Sequence, residues 1–208
     1  MKVTNTIMAK KSLTFGSGTL TIFLINVVFF IMLRLFPEFS QYLLLNPRMD
    51  LILARPWTLI TVFFSHEIFI HIIANMGLFL IFGNKLEKIT NGKTVIMVYL
   101  LTGFVGSLTF PFFAPIIQWT GPVVGASAAT WGIASAFAMM RPNYKFYDGE
   151  SKVLTSLFGL TAKLFVVLLF VINIIIFILN PSISIGAAAH AAGIIVGGIC
   201  GYWLETVK

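Results

Sequence analysis

Apolar stretches long enough to cross a lipid bilayer alternate along this chain with short polar connections. About 20 mostly apolar residues are needed for a helix to cross the hydrocarbon. By that measure the pattern predicts six spans: Gly18–Phe36, Ile68–Phe82 with its flanks, Thr94–Phe113, Gly125–Met140, Leu160–Leu179 and Ile185–Leu204. The breaks between them carry helix-stopping residues: Pro37, Asn46-Pro47, Asn91-Gly92, Pro111 and Pro115, Gly121-Pro122, Arg141-Pro142-Asn143 and Asn180-Pro181. Residues 1–17 are polar and read as a tail, and residues 18–208 as one all-α six-helix membrane domain. The first apolar run is too long for a signal-peptide core and has no small-residue cleavage site after it, so it reads as a retained span.

Two connections depart from a simple bundle. Residues 37–67 form a long connection that is itself apolar, with Leu43-Leu44-Leu45, Leu51-Ile52-Leu53 and Pro56-Trp57 through Phe64, and it is expected to lie partly in the membrane interface. The stretch Phe110–Val124 is uncharged and holds three prolines. It is expected to dip and return without a regular helix, beside a cavity, since irregular backbone at membrane depth needs protein or water around it.

Composition supports the membrane reading. Of 208 residues, 58% are hydrophobic and 10% charged, and the mean hydropathy is +0.97. A soluble domain averages roughly 25% charged residues, so the count argues against a soluble enzyme, a nucleic-acid-binding domain or a disordered regulator. The net charge of +7 then serves topology. With the N-terminus cytoplasmic, 11 of the 14 cations fall on the inner side, leaving Arg34, Arg48 and Arg55 outside. Both termini are therefore expected in the cytoplasm, the location being the cytoplasmic membrane. The excess of cations gives no reason to expect nucleic acid or another anionic ligand. One cysteine, Cys200, excludes an internal disulfide framework, and no zinc-type spacing or cofactor motif is present.

Polar groups inside spans are costly and mark function by default. His71 and Asn75 are four residues apart in span two and share a face. Ser127 opens span four, after Gly125, and His190 lies in the first turns of span six. Spans two, four and six run in the same direction, so these four side chains share one depth. Small residues repeat at fourfold spacing in span four and in span six, where Gly193, Gly197 and Gly201 form a stripe that lets helices approach closely. If those faces meet, Ser127 and His190 come within hydrogen-bonding reach, the minimal activated nucleophile for acyl transfer. The Ser127 N–H, with His71 and Asn75, is placed to stabilise an oxyanion. Each residue also has a plainer role: a serine at a helix start is usually a cap, and a Gly/Ala stripe is usually packing. Asn26 and Asn173 read as interhelical glue. His66 and Glu67 read as interfacial, and Trp57, Trp119, Trp131 and Trp203 as interface anchors. The coincidence of four groups carries the argument, not any one of them.

These residues resemble the rhomboid family of intramembrane serine proteases, through His66-xxxx-His71-xxx-Asn75, Gly125-Ala126-Ser127, and Ala189-His190-Ala191-Ala192-Gly193 with Gly197. The resemblance covers nearly the whole chain and fits the six-helix form. It implies Ser127 as nucleophile and His190 as general base, a dyad without an aspartate. It implies an oxyanion hole of His71, Asn75 and the Ser127 N–H, and no cofactor. Trp131 falls where the family often has a tyrosine packed on the catalytic histidine. Substrates would be single-span membrane proteins, cut in or near the membrane. Two positions depart from the family pattern. Trp57-Thr58 replaces the common Trp-Arg, which predicts that an arginine anchor for the first connection is missing. Ala128 replaces the common glycine after the serine, where its methyl could tighten the Ser127–His190 approach. A silent family member that binds transmembrane clients has no need of both dyad residues. A transporter or channel would need midplane charges and repeat symmetry, which spans three and five and the two halves lack. Substrate identity and oligomeric state are not encoded in any pattern found.

Overall fold

The computed structural model of the protein describes residues 15–146, 159–180 and 185–207. Among the described residues six principal helices follow in chain order: α1 (Ser17–Leu35), α2 (Phe69–Ile89), α3 (Gly92–Ile116), α4 (Ser127–Met140), α5 (Ala162–Leu179) and α6 (Ala187–Thr206). Five of them, all but α4, are long and apolar enough to cross a membrane. With 14 residues α4 spans about 21 Å, short of the ~30 Å hydrocarbon. It sits at the centre instead: 11 of its residues are buried. The central position explains its composition, because only Gly, Ala, Ser and Thr let neighbouring backbones close in on it from several sides. The outer helices show the reverse. On α5 only Ala162, Val166 and Asn173 are buried, and apart from Lys163 the rest of it is apolar and mostly exposed.

Three of the helix starts are capped by side chains of the chain itself. The Asn91 side chain accepts from the Thr94 N–H at 3.0 Å, and Thr161 from the Leu164 N–H at 3.2 Å, as N-cap residues do. No local side chain caps α1. Glu87, near the end of α2, does so from afar, accepting from the Gly18 N–H at 3.0 Å, the Thr19 N–H at 2.8 Å and the Thr19 hydroxyl at 2.7 Å. A carboxylate there also meets the positive end of the helix dipole.

Two expectations are corrected. The stretch from Phe110 does not leave the helix: α3 continues through Pro111 and Pro115 to Ile116. Each proline removes one backbone donor, a loss that membrane helices tolerate when neighbours compensate. The helix then stops in a Schellman arrangement. Gln118 adopts a left-handed φ of 56°; its N–H donates to the Pro115 carbonyl, and the Trp119 N–H to that of Ala114.

The long first connection, expected to lie partly in the interface, also reaches into the bundle, and the expectation it overturns is the missing arginine anchor. Its course is a series of short helical turns, and its far end, Val62 through His66, lies fully inside the bundle. Phe63 packs on Gly103 of α3, where a Cβ would come within 2.7 Å of the ring. The Tyr99 hydroxyl donates to the Phe63 carbonyl at 2.7 Å. The connection also has an arginine anchor after all. Arg55 donates to the Gln41 carbonyl and lies 5.1 Å over the Tyr42 ring, while Trp57 Nε1 donates to the Tyr42 carbonyl at 2.8 Å and Thr61 to that of Leu43 at 2.7 Å. Thr58 is buried, with its hydroxyl on the Arg55 carbonyl at 2.7 Å.

Candidate active site

The chain enters α4 through an extended segment held by the first connection. The Val123 N–H donates to the Leu45 carbonyl at 2.8 Å, and the Gly125 N–H to that of Val62 at 3.2 Å. Gly125 has a φ of +124°, a conformation that side chains rarely adopt. A Cβ on it would also lie 2.7 Å from His71 Cε1. Only glycine fits on both counts. This turn leaves Ser127 as the first residue of α4, after a backbone that caps without a side chain. The first helical bond runs from the Thr130 N–H to the Ala126 carbonyl at 2.8 Å. The N–H groups of Ser127, Ala128 and Ala129 therefore have no partner in the helix.

His190 lies in the first turn of α6, and its Nε2 is 2.6 Å from Ser127 Oγ. The close approach follows from the glycine stripe. A Cβ on Gly193 would sit 2.2 Å from the Ala128 carbonyl oxygen, one on Gly197 2.1 Å from that of Gly132, and one on Gly201 2.4 Å from that of Ala136. Each step of four along α6 matches a step of four along α4, so the helices run parallel with backbones in contact. Ser135 adds a hydrogen bond to the Ile194 carbonyl at 2.7 Å.

Two further groups fix the imidazole. The Trp131 indole, one turn after Ser127, stacks on it with centroids 4.2 Å apart and planes at 27°. Its Nδ1 is 2.9 Å from Asn173 Oδ1 on α5. The Asn173 Nδ2 donates to the Ala187 carbonyl at 2.9 Å. A cavity of about 340 Å³ opens over the pair, lined by Ser127, His190, His71, Gly125, Trp119 and Glu67 among others.

The structure thus brings together Ser127, His190, His71, Gly125, Trp131 and Gly193. Asn75 is one turn below His71 but does not line the cavity; its Nδ2 donates to the His71 carbonyl at 3.1 Å. Such a bond to the carbonyl four residues back is the usual resting partner of an asparagine within a helix. Of the tryptophans read as interface anchors, Trp131 is a packing partner of His190, and Trp119 turns inward with Nε1 on the Gly121 carbonyl at 2.7 Å. Trp57 and Trp203 stay exposed. His66 is not interfacial. It is completely buried, its ring edge-on to His71 at 5.1 Å. Sequence reasoning passed over Asn173 as glue. The available signal was its isolation, the one polar residue in the middle of a stretch of mean hydropathy 3.0 whose other polar residue, Lys163, lies at its start.

Comparison with known proteins gives the family. The model of the Rhomboid domain family matches residues 53–206. The chain belongs to the rhomboid family. It is also 30% identical over 149 residues to RHOMBOID-like protein 6, mitochondrial, of Arabidopsis thaliana, a match covering 71% of this chain and 43% of that protein. The chain therefore spans less than half the length of this curated relative. Within the rhomboid frame, the Ala128 departure is accommodated away from the serine–histidine pair. Its methyl faces Gly106 of α3, where a Cβ would be only 2.5 Å away. The space that a glycine would leave beside the serine is supplied by a glycine on the neighbouring helix.

Proposed function

We propose that this rhomboid is an intramembrane serine endopeptidase that cuts transmembrane segments of other membrane proteins. The observation that carries the reading is the 2.6 Å contact between Ser127 Oγ and His190 Nε2 at the floor of a cavity among membrane-length helices. In this reaction Ser127 Oγ attacks the scissile carbonyl while its proton passes to His190 Nε2. The oxyanion that forms faces the Ser127 N–H at the positive end of α4 and the His71 edge beside Gly125, and Asn75 joins them only by turning its Nδ2 from the His71 carbonyl toward the cavity. The imidazolium then gives its proton to the departing amine. Water, activated by the same histidine, releases the acyl group and regenerates the hydroxyl. A helical substrate must unwind locally to offer its carbonyl, which favours sites near small or helix-breaking residues.

In the membrane, α4 is the sixth crossing element, supported by the other five. The cations Lys85, Lys88, Lys93, Arg141, Lys145 and Lys163 flank the ends of α2 to α5 opposite the cavity, so this face is cytoplasmic and the cavity opens outward. A cytoplasmic membrane with both termini inside fits that distribution. Lys2, Lys10, Lys11, Lys152 and Lys208, which strengthen the charge bias, lie outside the described residues.

Labelling with a fluorophosphonate probe tests the nucleophile. Folded wild-type protein should carry the probe on Ser127, and His190→Ala should label at least a hundredfold more slowly, on the order of what a positioned base contributes. Failure of folded wild type to label would support a silent, client-binding family member instead.

A further inference from the structure

We infer that Asn173 is a positioning residue for His190, a third member of the site delivered by α5. This inference rests on the protease reading for its consequence, but its physical content can be measured without catalysis.

The orientation of the Asn173 amide is determined by its second partner. The Ala187 carbonyl can only accept, so the group 2.9 Å from it must be the NH₂. The other end, 2.9 Å from His190 Nδ1, is then the oxygen, which can only accept. His190 must donate from Nδ1. In the neutral ring the proton is therefore on Nδ1, and Nε2 carries the lone pair, aimed at Ser127 Oγ 2.6 Å away. This is the tautomer that a general base needs. When Nε2 takes up the serine's proton, the Nδ1–H bond to Asn173 persists and holds the ring in place. The stack on Trp131 fixes the ring plane, but a stack cannot choose between two tautomers. Asn173 makes that choice.

Position and cost point the same way. Asn173 is the only buried polar residue on α5, in the most apolar stretch of the chain. An amide there is expensive to insert. Interhelical glue alone would be satisfied by the Ala187 carbonyl, whereas here the acceptor end is spent on an imidazole.

Two variants separate positioning from glue. Asn173→Asp and Asn173→Leu both lose the donor to Ala187, so both should lose thermal stability. Only Asn173→Leu loses the acceptor for Nδ1–H. In cleavage of a transmembrane reporter, Asn173→Leu should lower kcat by roughly tenfold to a hundredfold, part of what a positioned base supplies, with KM little changed. Asn173→Asp should recover kcat at high pH. Its acid limb should move up by about one pH unit or more, because a carboxylate stabilises the imidazolium. Wild-type kcat and pH profile in Asn173→Leu, or equal loss of kcat in both variants in step with their stability, would overturn the inference.

The second measurement needs no activity. The chain has three histidines, so ¹⁵N-histidine labelling gives three imidazoles, with His190 assigned by its loss in His190→Ala. His190 should be Nδ1-protonated in wild type at neutral pH and should lose that preference in Asn173→Leu. A wild-type ring protonated on Nε2, or one unchanged by Asn173→Leu, refutes the assignment. The expected tautomer in a protein that cuts nothing would sink the protease reading and leave the role of Asn173 standing.

Discussion

Replacing Gly193 by alanine adds one methyl group at the tightest part of the site's scaffold. The new Cβ would lie 2.2 Å from the Ala128 carbonyl oxygen and 2.8 and 3.0 Å from the adjacent backbone carbons. Ordinary contact begins near 3.4 Å, so α6 must move away from α4 by about 1.2 Å, because none of the three contacts is a side chain that can rotate aside. His190 lies three residues before Gly193 on the same face and moves with it. An Oγ–Nε2 distance of 2.6 Å cannot absorb such a shift and remain a hydrogen bond. Overpacking of this kind costs about 1–3 kcal/mol of stability, and a misplacement of about 1 Å can cost a hundredfold in rate. The assay pairs thermal unfolding in detergent with reporter cleavage in liposomes. Gly77→Ala is the control: nothing lies within 4 Å of its added methyl, and alanine favours a helix over glycine by about 1 kcal/mol. Gly77→Ala should match or exceed wild type in stability and leave cleavage unchanged, while Gly193→Ala falls in both. If Gly193→Ala kept wild-type stability, the close packing of α6 on α4 would be wrong. If it lost stability but kept kcat, that packing would not be what sets the dyad distance.

Other consequences can be checked individually. Gly125→Ala combines a disfavoured φ of +124° with a methyl 2.7 Å from His71, so it should cost about 1–3 kcal/mol in thermal unfolding and lower kcat more than KM. Trp131→Ala should lower kcat several-fold by freeing the imidazole, and Trp131→Phe should restore most of it in the same reporter assay. Glu87→Ala removes the acceptor for two N–H groups and a hydroxyl at the start of α1. It should lower stability by about 1–2 kcal/mol, in the range of a lost cap, with kcat unchanged because the contact lies at the opposite end of the bundle from the cavity.

Much of this was legible in the chain itself. The helices were readable because apolar length is what lets a segment cross a bilayer, and their observed ends fall within a turn or two of the polar breaks. The meeting of α4 and α6 was readable because Gly193, Gly197 and Gly201 face a comparable stripe, and small residues at fourfold spacing have few other uses. What escaped were features set by partners distant in sequence. Pro111 and Pro115 looked like helix breakers because local pattern cannot show a membrane helix compensated by neighbours. His66 looked interfacial because its position at a span edge says nothing of the connection folded over it. Arg55 is three residues away from the position where the family pattern places its arginine. Asn173 looked like packing because the target of an amide is a tertiary fact, and α5 meets His190 only after the bundle has closed.

The central claim is that Ser127 and His190 form a proteolytic pair. Its most direct test is cleavage of a transmembrane reporter by purified protein in liposomes, wild type beside Ser127→Ala. Wild type should release the cut fragment and Ser127→Ala should release none above background. Equal cleavage by both proteins, or none by folded wild type against a range of reporters, would contradict it.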